Sequence, residues 1–250
     1  MFGFLAPGSG TSVLHSRRAA ASRCGRRRLV ARANVDVTKF PSEGSKDAVD
    51  VNKQPQEYVQ LKEMLKGVSI FMIGMMGSGK SAVGKVLAQQ IGYAYIDTDE
   101  VIQESMKMPI TDIFEEHGEA GFRQVESVVI QQVSPYVRTV VSAGGGAVLN
   151  QENWGHMQNG LVVWLDPSVE TIYERVKGDA SRPLLKVDDP KAMIESILRE
   201  RESLYEQADV KIGIEPEEGI EVVAFNTARG LTRFIEANPP KSAAHRPVGL

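Results

Sequence analysis

Ile70-Phe71-Met72-Ile73-Gly74-Met75-Met76-Gly77-Ser78-Gly79-Lys80-Ser81 is the stretch on which the reading of this chain turns. A short apolar run enters a glycine-rich turn and leaves it on a helical period that continues over 81–91. The turn matches G-x-x-x-x-G-K-[ST], and it stands between a strand and a helix, the context that gives the pattern meaning. Glycines let successive backbone N–H groups face one concavity, where they can hold phosphate oxygens. The N-terminus of the following helix adds about half a positive charge there. In such a loop Lys80 reaches β- and γ-phosphates and the Ser81 hydroxyl coordinates Mg²⁺. A nucleotide-binding set of Gly77, Ser78, Gly79, Lys80, Ser81 and Ala82, the ATP-binding residues if the nucleotide is ATP, follows. The motif alone says nucleotide and no more, because proteins of many activities carry it.

Outward from this loop the pattern alternates. Further β-rich runs fall at 93–96, 137–142, 161–165 and 210–214. Helical periods fall at 56–66, 100–106, 110–117, 119–133, 150–158, 168–177, 190–207 and 218–236. With the run at 68–73 this makes five strands alternating with helices. The expected fold is α/β, a three-layer α/β/α sandwich around a central five-stranded parallel sheet. One α/β domain is expected over 66–238, after a linker with a short helix (34–65) and before a flexible tail (239–250).

The 250 residues are 42% hydrophobic and 24% charged, enough for one domain with a full core. No stretch reaches the roughly 18–20 apolar residues of a spanning helix, so no membrane partner is expected. The net charge of −3 does not favour nucleic acid either. The charge is unevenly placed. Residues 1–33 hold seven Arg and no Asp, Glu or Lys, which leaves 22 basic against 32 acidic residues in the rest. An Arg- and Ser-bearing leader without acids reads as an organelle transit peptide, a basic RNA-binding arm being the alternative. Val30-Ala31-Arg32-Ala33 resembles chloroplast processing sites, so a plastid is the expected compartment. The only cysteine, Cys24, lies within that leader.

Four more segments bear on chemistry. Asp97-Thr98-Asp99 ends the second strand, where one carboxylate can hold a magnesium-bound water and the other can accept a substrate hydroxyl. Taken singly it also fits a surface turn. In Phe122-Arg123-x-x-Glu126 the acid shares a helix face with the arginine and can hold its planar fork for a carboxylate or phosphate. A solvated ion pair is the plainer reading. Val140-Val141-Ser142-Ala143-Gly144-Gly145-Gly146 is a strand running into three glycines, either a plain loop or a close backbone approach to a ligand. Ser181-Arg182-Pro183-Leu184-Leu185 lies between two helices like a mobile lid carrying an arginine. His117 and His156 have no partner at metal spacing.

Together with Glu200-Arg201-x-x-Leu204-Tyr205, these motifs resemble, in order and spacing, those of shikimate kinase, a phosphate-loop kinase related to nucleoside monophosphate kinases. The resemblance covers about 66–236. It implies ATP-dependent phosphorylation of the 3-hydroxyl of shikimate, with Mg²⁺, by a protein that works on small molecules; a monomer or weak homodimer is expected. By the same resemblance Asp99, Arg123, Gly144, Gly145, Gly146 and Arg201 hold shikimate, the arginines on its carboxylate. Arg182 becomes the lid arginine on the ATP phosphates, Arg175 packs on adenine, and Ser81 and Asp97 (through water) form the magnesium shell; Lys80, Asp99 and Arg182 are the catalytic set. Ala143 stands where the family usually has Thr, which removes one hydroxyl beside the metal and γ-phosphate. Two rivals share part of the pattern: a kinase for another hydroxylated acid such as gluconate, and a non-catalytic plastid protein. The second should have lost a site residue, and Lys80, Asp99, Arg123 and Arg201 are all retained.

Overall fold

The computed structural model describes residues 55–178, 187 and 189–239. The elements run in the order α1 (Gln56–Leu65), β1 (Ile70–Ile73), α2 (Lys80–Ile91), β2 (Ala94–Asp97), α3 (Thr98–Met106) and α4 (Ile110–Val133). They continue as β3 (Thr139–Ser142), a 3₁₀ turn (Ala147–Leu149), α5 (Gln151–Met157), β4 (Leu161–Pro167), α6 (Val169–Val176), α7 (Pro190–Tyr205), β5 (Val210–Ile214) and α8 (Ile220–Ala237). The five strands form one sheet in the order β2-β3-β1-β4-β5, and every pairing is parallel.

The strand period of two divides the core. Phe71, Ile73, Val141, Val162 and Trp164 pack on one face, against α3, α4, α5 and α7. Ile70, Met72, Val140, Val163 and Leu165 pack on the other, under α1, α2 and α8. Both faces are therefore dry, as a parallel sheet requires. The central strands β1 and β3 are buried at every position, whereas the edge strand β5 alternates buried and exposed. Trp154 and Tyr93 fall in this packing. Among the described residues no helix is long and apolar enough to cross a membrane.

Several boundaries differ from the sequence reading, each for a local reason. The folded unit begins before residue 66: α1 is not part of a linker. Its Tyr58, Leu61 and Leu65 are buried against α8 and α2, and Tyr58 meets Phe225 edge-on at 6.1 Å. The first strand starts at Ile70 because Val68 is still 40% exposed. α3 starts at Thr98 and not at residue 100, because Asp97 caps it and accepts the Asp99 N–H. The 3₁₀ turn after the three glycines was not foreseen. The expected break between 117 and 119 is present: Gly118, at φ 67° and ψ 176°, separates two helical halves of α4. That backbone region is essentially closed to other residues.

The burial of α1 carries a test. Leu61 has no solvent exposure, so Leu61→Ala should lower stability by about 2–5 kcal/mol, read as a lower urea midpoint at unchanged slope. A linker residue would leave the midpoint where it was.

Candidate active site

All the strands are parallel, so their carboxyl ends lie on one side, and the loops that carry the motifs converge there. Behind β1 the loop turns back across Lys80. The Lys80 ammonium donates to the carbonyls of Gly74 and Met75, each at 2.9 Å, and is almost fully buried. Arg175, from α6, reaches over the same loop and donates to the Gly77 carbonyl at 3.3 Å. Ala82 follows Ser81 in the first turn of α2. Arg182, expected on a lid, lies outside the described residues, as do residues 1–54 and 240–250.

Asp97 ties the loop to β2. Its Oδ2 accepts the Ser81 hydroxyl at 2.7 Å and the Tyr95 hydroxyl at 3.0 Å, and its Oδ1 accepts the Asp99 N–H at 3.0 Å. Burial, with the Asp97 charge next, pushes the Tyr95 hydroxyl well above its ordinary range, so it stays protonated and donates. Thr98, fully buried, accepts the Gly144 N–H at 3.0 Å and joins the β2 end to the glycine run. Nothing local in the sequence marks the Tyr95 hydroxyl as a partner of Asp97.

Two of the three glycines are needed because charged groups press on them. A Cβ on Gly144 would lie 2.2 Å from Glu126 Oε1 and 3.0 Å from Asp99 Oδ1, and one on Gly146 would lie 2.2 Å from Arg123 Cζ. The Gly145 carbonyl is taken from the far side by α7, accepting Arg201 Nη1 at 3.0 Å and the Tyr205 hydroxyl at 2.7 Å. Tyr205 in turn stacks on Trp164, ring centroids 5.5 Å apart. Ala143, just before the glycines, is buried and its N–H bonds the Met72 carbonyl.

One cavity of about 340 Å³ joins these parts. Asp99, Arg123, Gly144, Gly145, Gly146 and Arg201 line it together with Ser81 and Asp97. Arg175 is not in its wall. An apolar side made by Met76, Ile110, Phe114 and Phe122 was missed in the sequence. The i, i+4 spacing of Ile110 and Phe114 was its only trace. Among the described residues no group of three or more His, Cys, Asp or Glu could hold a metal ion.

Arg123 and Glu126 form the inner ion pair, Nη1 to Oε2 at 2.7 Å. Glu119 takes the other nitrogen, Nη2, at 3.3 Å. This is no solvated surface pair. Glu126 is wholly buried, and its Oε1 has no hydrogen-bond partner among the described residues. Burial raises the Glu126 carboxyl, Arg123 opposes it, and Asp99 adds to the rise; the result is about 7. Although burial acts to lower Arg123, the two glutamates hold it above its ordinary value.

The sign of the pH effect follows. The folded Glu126 titrates above the ordinary 4.5, so between those values the folded chain keeps a proton that the unfolded chain has lost. Stability from this group therefore falls as pH rises from about 4.5 to about 7 and is flat above. Glu126→Gln should gain about 1–3 kcal/mol relative to wild type across that window, read by urea unfolding at pH 5 and pH 7.5. A difference independent of pH would mean that Glu126 is charged throughout.

Comparison with known proteins agrees with this geometry. The shikimate kinase family profile matches residues 76–228, more than half of the chain. A shikimate kinase of Trichormus variabilis is 49% identical over 164 residues, which span 66% of this chain and 91% of that protein. One from a Nostoc species is 48% identical over 176 residues, 70% of this chain and 97% of the relative. Among solved structures, the shikimate kinase of Acinetobacter baumannii in complex with shikimate matches with a TM-score of 0.64 at 33% identity, over 72% of this chain and 99% of that one. The Aquifex aeolicus shikimate kinase matches with a TM-score of 0.58 at 34% identity, over 69% and 99%. With the phosphate loop, the glycine run and the buried Arg123–Glu126 pair set around one cavity, this chain belongs to the shikimate kinase family.

Proposed function

We propose that this protein transfers the γ-phosphoryl group of ATP to the 3-hydroxyl of shikimate, a step of chorismate and aromatic amino-acid biosynthesis. The observation that carries the reading is the single cavity in which Asp99, Arg123 and Arg201 face the Ser81–Asp97 end of the phosphate loop. An acceptor with a carboxylate at one end and hydroxyls at the other suits that polarity.

In this reading Lys80 and the loop N–H groups hold the β- and γ-phosphates, with Arg175 against the adenine. Arg123 and Arg201 orient the acceptor carboxylate, Arg123 as a planar fork fixed by Glu126. The backbone of Gly144, Gly145 and Gly146 lets the acceptor ring approach closely. Asp99 accepts the hydrogen of the attacking hydroxyl and takes the proton as the new O–P bond forms and the bond to the departing ADP oxygen breaks. Arg182 closes over the transferring group.

The residues also suit Mg²⁺. Ser81 gives its hydrogen to Asp97 at 2.7 Å, which leaves its oxygen lone pairs for a hard cation. A magnesium ion needs few protein ligands beyond nucleotide phosphates and water. Ser81 directly and Asp97 through water would hold it, and it would supply positive charge that offsets the charge developing on the phosphates.

The competing acids are separated by a coupled assay of ADP release with shikimate, quinate and gluconate at equal concentration. Shikimate should be strongly preferred, and preference for gluconate would assign a different acceptor. Arg123→Lys keeps the charge but loses the fork. It should raise the KM for shikimate about 10–150-fold, the equivalent of one hydrogen bond to a charged group, with the KM for ATP nearly unchanged. A rise in the ATP value alone would remove Arg123 from the acceptor site.

The protein is proposed to work in the plastid stroma, as a monomer or weak homodimer, after removal of residues 1–33. Support comes from the acid-free, Arg-rich leader. A fluorescent fusion of residues 1–60 should enter plastids; retention in the cytosol or nucleus would overturn the assignment.

A further inference from the structure

Tyr95 stands two residues before Asp97 on β2, so both side chains lie on the face of the strand that α2 covers. Its ring is confined. A Cβ on Gly84, one turn beyond Ser81 on α2, would come within 2.8 Å of Tyr95 Cε2 and 3.0 Å of Met72 Sδ. The Lys85 ammonium lies 5.4 Å from the ring centroid on the outer side. A ring held this way has little freedom to move its hydroxyl, and that hydroxyl donates to Asp97 Oδ2, the oxygen that also takes the Ser81 hydroxyl.

We infer that Tyr95 is a positioning residue for the cation end of the site: through Asp97 it fixes the direction in which the Ser81 hydroxyl presents its lone pairs. The inference rests on the magnesium reading given under the proposed function. Among the described residues the carboxylate has three donors, one on Oδ1 from the α3 backbone and two on Oδ2. The Oδ1 bond lets the group pivot about the α3 N-terminus; the Tyr95 bond stops that pivot. Ser81 then meets an acceptor at a fixed place, and its free lone pairs point toward the phosphate loop rather than over a range of angles. Hydrogen bonds that orient a metal ligand in this way are typically worth about 10–100-fold in metal affinity. Where the carboxylate acts through water, the low end applies.

The test is Tyr95→Phe, which keeps the ring and its packing and removes only the hydroxyl. Binding of ADP to the full-length wild-type and variant proteins is measured calorimetrically, once with saturating Mg²⁺ and once with EDTA. Affinity for ADP with Mg²⁺ should fall about 10-fold in the variant. Affinity for metal-free ADP, the KM for shikimate and the thermal midpoint should stay at wild-type values. An equal loss with and without Mg²⁺ would show that the hydroxyl supports the loop as a whole, and no loss would show that it is only satisfied there; either overturns the inference. Wild-type affinity for ADP indifferent to Mg²⁺ would overturn it together with the metal assignment. Phosphorylation of shikimate by the wild type is measured separately, so failure of the proposed activity is distinguishable from failure of the Tyr95 role.

Discussion

A carboxylate with no solvent exposure, Glu126, rests against the α-carbon of Gly144, and much of the site is arranged around it. Taking an ion out of water costs several kcal/mol unless good geometry offsets it. Arg123 supplies part of that offset at 2.7 Å, and in return its guanidinium is fixed over Gly146. The two side chains occupy the volume that Cβ atoms would need, so the loop after β3 has to be glycine at these places. The arginine fork and the glycine run are thus two sides of one contact.

The other side of that loop is held from a distant part of the chain. Arg201 and Tyr205, one turn apart on α7, both donate to the Gly145 carbonyl. Tyr205 is itself seated on Trp164 of β4. A glycine-rich segment is costly to order because it loses much backbone freedom, and here it is clamped by side chains from α4 and α7 and by Thr98 of α3. Preorganisation of this kind means that little has to move when charge develops at the transferring group.

The nucleotide end follows the same logic with different parts. β1 lies at the centre of the sheet, between β3 and β4. The phosphate loop therefore emerges beside the ends of both, and β2 brings Asp97 to Ser81 from beyond β3. Asp97 caps a helix and holds the first turn of another. One carboxylate thus sets the relative position of α2 and α3, and with it the distance between the phosphate loop and Asp99.

The sequence by itself determined the α/β class, the five strands, the break at Gly118 and the residues around which the cavity is built. These signals are local. A strand period of two, a helix period, a glycine turn before a lysine and an arginine three residues before an acid can all be read within a few positions. Only the tertiary structure decided that α1 belongs to the core, that Glu126 is desolvated rather than solvated, that Tyr205 pins Gly145 and that the Tyr95 hydroxyl meets Asp97. Each of these depends on which surface a side chain is pressed against. An Arg–Glu pair on a helix looks the same in sequence whether its outer face meets water or a glycine loop, and only the packing of α4 against the β3 end removes the water.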